Sequence, residues 1–135
     1  YYGGYAVTHG LPESEQKLPI GSFCAVRQRL DGFFSIDAGW EGGEFLTPPL
    51  QFTGKRLVVN LNTSAMGLCR VGLLDEAGEP LPGFGADECD ALQTNSTAHT
   101  VTWAGQSDLS ALAGKPLRLH FAMRSTKLYA FQFEG

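Results

Sequence analysis

In residues 56–63 of this 135-residue chain, Leu57, Val59 and Leu61 fall on one side, and Val58, Asn60 and Asn62 on the other. A period of two is the mark of a β-strand, whose successive side chains point to opposite faces. The same alternation sets Phe34 and Ile36 against Ser35 and Asp37 within Phe33–Ala38, and Val71 and Leu73 against Arg70 and Gly72 within Leu68–Leu74. It also turns Leu117, Leu119, Phe121 and Met123 inward, and it places Tyr129, Phe131 and Phe133 on one face of a last strand, Leu128–Phe133. Further strands are predicted over Ser22–Arg29, Glu44–Thr47, Leu50–Phe52 and His99–Trp103, with Pro48-Pro49 stopping the second of these. Leu30-Asp31-Gly32 and Asp75-Glu76-Ala77-Gly78 carry turn chemistry.

Helical periodicity is confined to one turn at Ser107–Gly114, where Ser107 can cap the start and Gly114 the end. Turn signals recur about every ten residues, the spacing of a sandwich or barrel. The prediction is an all-β fold, an antiparallel jelly-roll-like β-sandwich of about eight or nine strands with one short helical turn. Residues 1–19, rich in Tyr, Gly and Pro, read as an extended lead-in or linker from an upstream domain; residues 20–135 read as the sandwich. The stretch from Pro80 to Ser96 is the longest irregular part.

Charge narrows the function classes. The net charge is −4, and the basic residues are scattered without a run, so no basic face is expected for nucleic acid. No apolar stretch reaches the ~20 residues of a membrane-spanning helix. Cys24, Cys69 and Cys89 lack metal-ligand spacing; they read as buried small apolar residues, with one disulfide as the rival reading. Asn62-Thr63-Ser64 and Asn95-Ser96-Thr97 match the glycosylation sequon and read as chance matches unless the source is a secreting eukaryote.

No catalytic constellation emerges. There is no G-x-S-x-G, His99 and His120 fall on predicted strands, and His9 lies in the lead-in. Glu41 and Glu44 share a Gly-rich loop, and Asp87, Glu88 and Asp90 share the long irregular stretch; both groups read as solvated loop acids. Asp87, Glu88 and Asp90 also have the ligand type for a structural calcium ion, the one cofactor considered. Trp40, flanked by Gly39, Glu41, Gly42 and Gly43, is hard to bury and is a candidate platform for the flat C–H face of a sugar. Phe84, between Gly83 and Gly85, is a second candidate, and Glu41 and Arg29 are candidate polar partners for sugar hydroxyls. The rival for Trp40 is packing at the sandwich edge or against another domain, and for Phe84 it is plugging the core.

Four phrases, in this order, carry a family resemblance: Arg29-Leu30-Asp31-Gly32-Phe33-Phe34-Ser35-Ile36-Asp37-Ala38-Gly39; Arg56-Leu57-Val58-Val59-Asn60-Leu61-Asn62-Thr63; Leu81-Pro82-Gly83-Phe84 followed by Cys89-Asp90; and Leu109–Leu119 followed by Leu128-Tyr129-Ala130-Phe131-Gln132-Phe133. Together they resemble the C-terminal β-sandwich that follows a five-bladed β-propeller in glycoside-hydrolase-like and sialidase-like proteins. Cys24, where an aliphatic residue is expected, and Asn95, near a frequent Asp, depart from that pattern. The resemblance implies a non-enzymatic carbohydrate-binding or accessory module, extracellular or periplasmic, whose partners are a glycan and an upstream catalytic domain of the same protein. The alternatives are a purely structural domain packing on the propeller, or an extracellular subunit that self-assembles through its N-terminal arm.

Overall fold

The fold is that of a computed structural model, which describes residues 1–5 and 21–135. The described residues form nine strands: β1 (Tyr2–Tyr5), β2 (Gly21–Cys24), β3 (Ile36–Ala38), β4 (Gly43–Leu46), β5 (Arg56–Asn62), β6 (Leu68–Leu74), β7 (Asn95–Thr100), β8 (Arg118–Arg124) and β9 (Thr126–Glu134). All pairings between them are antiparallel. Strands β1 and β2 form a separate ribbon, while β3-β9-β5-β7 and β4-β8-β6 are the two sheets of the sandwich. From β3 onward the chain changes sheet at every strand, and the first of these strands pairs with the last. This is jelly-roll wiring. The outer edge of β6 is met by two isolated bridges, Leu92 to Cys69 and Pro80 to Leu74.

Alternation places the core. Leu57, Val59 and Leu61 of β5 face Cys69, Val71 and Leu73 of β6 and Leu119, Phe121 and Met123 of β8, all buried. Trp103 is the largest buried side chain, and its indole N–H donates to the Val71 carbonyl at 2.8 Å, so the ring brings its one polar atom into the core satisfied. Phe52 stacks on Phe133 with centroids 3.9 Å apart, and Phe45 on Phe121 at 4.9 Å.

Both neighbours of β5 carry a bulge beside Asn60. Val59 and Leu61 pair with Phe131 and Leu128 of β9, and with His99 and Ser96 of β7, so on each side four residues of the neighbour oppose three of β5. The bulge in β9 corrects one sequence expectation. Leu128 and Phe131 share the core side despite their odd spacing, whereas Tyr129 lies under the guanidinium of Arg29, 4.7 Å from its ring centroid. A strict period of two cannot anticipate the inserted residue.

Arg29 occupies the gap that the bulges open. Its Nε donates to Asn60 Oδ1 at 2.6 Å and its Nη1 to Asn95 Oδ1 at 2.5 Å. Its Nη2 donates to the carbonyls of Leu61 and Ser96 at 2.9 and 2.6 Å. Asn60, itself buried on the outer face, returns a hydrogen bond from Nδ2 to the Leu30 carbonyl at 2.7 Å. The turn behind it requires Gly32, since a Cβ there would meet the Arg29 Cβ and carbonyl oxygen at 2.8 Å.

Other boundaries differ from expectation. β2 ends at Cys24, and residues 25–29 run without ladder bonds toward the Arg29 anchor. Leu50–Phe52 gives one bridge, Leu50 to Leu117, rather than a strand. The helical turn is a 3-10 turn, Ser110–Leu112; Asp108 rather than Ser107 accepts from its first N–H, at 2.9 Å, while Gly114 does take a left-handed φ of 76°. Part of the lead-in, Tyr2–Tyr5, pairs with Gly21–Cys24. The expected boundary at 19/20 and His9 lie outside the described residues.

All three cysteines are free: Cys69 and Cys89 are buried and Cys24 is half-buried. Burial pushes the Cys69 thiol up to about 12, with Cys89 nearby adding to the effect. Burial also raises Cys89, against a backbone N–H from Val71 that donates to its sulfur at 3.2 Å.

Two predictions follow from this packing. Arg29→Ala is expected to lower the unfolding free energy by about 2–3 kcal/mol in urea denaturation, and Arg29→Lys to recover less than half, because an ammonium cannot reproduce the fork. For the Cys69 and Cys89 thiols, the folded pKa lies above the unfolded one. Their contribution is therefore full below the ordinary thiol range and is lost as pH rises from about 9 toward 12. A thiol reagent at pH 8 is expected to label Cys24 alone in the native protein, and all three cysteines once it is unfolded.

Candidate functional site

At one end of the sandwich three connections meet: the β3–β4 loop, the β5–β6 loop and the tight β8–β9 turn. The β3–β4 loop closes with a hydrogen bond from Gly42 N–H to the Gly39 carbonyl at 3.1 Å, and Ser125 N–H donates to the same carbonyl at 2.8 Å. Ser64 Oγ donates to the Ser125 carbonyl at 3.2 Å, and Asn62 Oδ1 accepts from Ser64 N–H at 2.9 Å. Gly67 is required beneath them, because a Cβ there would collide with the carbonyl oxygens of Thr63 and Ser125. Ser64 and Ser125 hold left-handed φ angles of 54° and 44°, uncommon for residues with a side chain.

These loops enclose a shallow groove of about 260 Å³ lined by Asp37, Gly39, Asn62, Ser64, Ser125 and Lys127. Asp37 carries two partners, the Lys127 ammonium and the Ser35 hydroxyl, which donates at 2.6 Å. The Lys127 hydrogen bond, seconded by Ser35, holds the Asp37 carboxyl below its ordinary range, and Asp37 in turn raises Lys127. The depressed acid keeps the pair intact above the unfolded carboxylate pKa of about 4, and the raised amine keeps it intact below about 10, so the groove is a paired, polar surface at neutral pH. Both partners are exposed, and the pair matters for shape and hydrogen bonding rather than for stability.

Trp40 stands at the rim, on the loop that supplies Gly39. It is 62% exposed, and the guanidinium of Arg124, the residue before Ser125, lies 5.4 Å from its ring centroid. The arginine sets the ring orientation while much of the indole surface stays in solvent. Glu41, also exposed, follows it in the loop.

The other sequence candidates do not join this site. Arg29 spends its donors on the β5–β7 bulge and on Asn60, and stacks on Tyr129, so it is a structural anchor rather than a sugar partner. Phe84 is half-buried and meets Trp103 edge-on, centroids 5.5 Å apart, as part of the core. The acids of the long irregular stretch do not converge. Glu88 Oε2 accepts from Gly85 N–H at 2.7 Å. Asp90 Oδ2 accepts from the Thr102 hydroxyl and from Gly105 N–H at 2.5 and 2.8 Å, which lowers its pKa. Asp87 lends only its backbone carbonyl, to Arg70. Among the described residues no group of three or more His, Cys, Asp or Glu side chains is placed to hold a metal ion, so the calcium expectation on Asp87, Glu88 and Asp90 finds no support in their arrangement.

Glu44 separates from Glu41. It lies on the outer face of the three-stranded sheet and pairs with His120 Nε2 at 2.8 Å, beside a recess lined by Phe45, Leu46, Leu74 and Pro80. Asp37, Arg124 and Lys127 were not singled out as binding residues by sequence, and Asn62 and Ser64 only as part of a glycosylation sequon. Asp37 and Lys127 share a rung of β3 and β9, a pairing that no local pattern reveals. Comparison with protein families, with curated proteins and with solved structures finds no match for this chain.

Proposed function

We propose that this domain is a non-catalytic accessory β-sandwich of the kind that accompanies glycoside-hydrolase-like enzymes, and that it contacts glycan at the Trp40 end. The observation that carries the reading is the position of Trp40: an exposed indole, braced by Arg124, at the rim of a groove of paired and hydrogen-bonding groups.

A pyranose presents a flat C–H face and a rim of hydroxyls. The open indole surface takes the first, and Asp37, Asn62, Ser64 and Lys127 suit the second, with the exposed Glu41 next to Trp40 in the loop as a further acceptor. The Asp37–Lys127 pair balances its own charge, which favours a neutral sugar over a strongly anionic one. A groove this shallow buries one or two sugar units, so affinity per site is weak, and tethering to a catalytic domain is what makes it useful through effective concentration. The upstream catalytic partner is part of this proposal and rests on the resemblance of the four sequence phrases.

The test is titration against a glycan array with Trp fluorescence as the readout. Trp103 is 1% exposed, so a ligand-dependent change reports on Trp40. Trp40→Ala is expected to abolish binding, and Lys127→Ala to weaken it about tenfold, with thermal midpoints close to wild type. No binding across the array with the wild-type domain folded rejects the reading.

A further inference from the structure

A second surface runs along the open side of the sandwich, between edge strands β3 and β4. Phe34, Ile36, Phe45 and Phe131 line a groove of about 190 Å³ there. Phe33 and Phe34 in the segment leading into β3 are 80% and 88% exposed, and Ile36 is also exposed. An apolar face of this extent is a docking surface rather than ordinary surface scatter.

The β1–β2 ribbon has the complementary problem. In its register Tyr2 pairs with Cys24 and Gly3 with Phe23, so neighbouring rungs place Tyr2 and Phe23 on opposite faces. Tyr1 and Phe23 are almost wholly exposed and Tyr2 more than half. A two-stranded ribbon without a core is marginal in water and gains order only by packing its side chains on something else.

We infer that the something else is a second copy of this chain: the aromatic ribbon of each protomer lies on the Phe33–Phe34 flank of the other, in a two-fold dimer. Area favours this occupant. Tyr1 and Phe23, which strand alternation puts on one face of the ribbon, offer with Phe33 and Phe34 roughly 700 Å² at about 200 Å² per aromatic side chain, close to what one partner contributes to a standard interface. One chain carries both the insert and its receiving face, so a reciprocal exchange satisfies both and closes without leaving either exposed. The Trp40 groove is lined by different residues, and the dimer does not depend on sugar binding.

Sedimentation and light scattering of the full chain test this. Wild type is expected at twice the chain mass at tens of micromolar. Phe33→Ser/Phe34→Ser and Tyr1→Ser/Phe23→Ser should each weaken association at least about tenfold, with unchanged near-ultraviolet circular dichroism, because these side chains are exposed in the protomer. Mixing the two variants restores one of the two ribbon–flank contacts and should recover part of the dimer, whereas Trp40→Ala leaves association unchanged. A wild-type monomer at all concentrations overturns the inference and assigns the flank to a different folded domain. A dimer indifferent to both double variants, or a mixture that recovers nothing, overturns it as well.

Discussion

A guanidinium drawn half out of water must bring hydrogen-bond partners with it, and Arg29 finds them in the one place where the β-ladder is irregular. The bulges in β7 and β9 flank Asn60, and the carbonyls of Leu61 and Ser96 turn to the guanidinium together with the amides of Asn60 and Asn95. Remove the cation and these groups lose a shared donor on a face where Val58 and Asn60 are already buried. The same contact ties the segment before β3 to the middle of the four-stranded sheet. Arg70 and Arg118 repeat the device more weakly, reaching the carbonyls of Cys89 and Thr47 to hold loops against the other sheet. Three basic residues that looked scattered in sequence, Arg29, Arg70 and Arg118, are spent on fastening loops.

That use of arginine explains where sequence reading succeeds here and where it stops. Strands β5, β6 and β8 are readable because each has one face on the core, and the alternation of Leu57, Val59 and Leu61, or of Leu119, Phe121 and Met123, is burial written with a period of two. Tyr129 was misplaced because one inserted residue changes the phase of the strand, and the side chain that meets it there, Arg29, comes a hundred positions earlier in the chain. Phe84 looked free between two glycines, yet the chain folds it back onto Trp103. Short-range composition cannot distinguish a loop that leaves the core from one that returns to it.

Trp40 was legible for the opposite reason. With glycines on both sides, nothing local could cover it, and it remains exposed. Its polar surroundings were not legible, since Asp37 meets Lys127 across ninety residues and Asn62 and Ser64 arrive on another loop. A binding surface at the end of a sandwich is assembled from connections, and the sequence separation within each pairing is set by topology rather than by motif.

The two exposed surfaces share one structural element. Strands β3 and β4, four residues or fewer each, form the walls of the apolar flank, and the loop between them carries Trp40. Short edge strands contribute little rigidity of their own. The Trp40 loop is steadied instead from the β8–β9 turn, where Ser125 N–H reaches the Gly39 carbonyl and Arg124 lies over the indole. That turn joins the strands at the centre of both sheets, so the platform is referenced to the core and not to the edge. A partner on the flank can therefore order β3 and β4 without displacing Trp40, which leaves the glycan-facing end and the apolar side free to act independently.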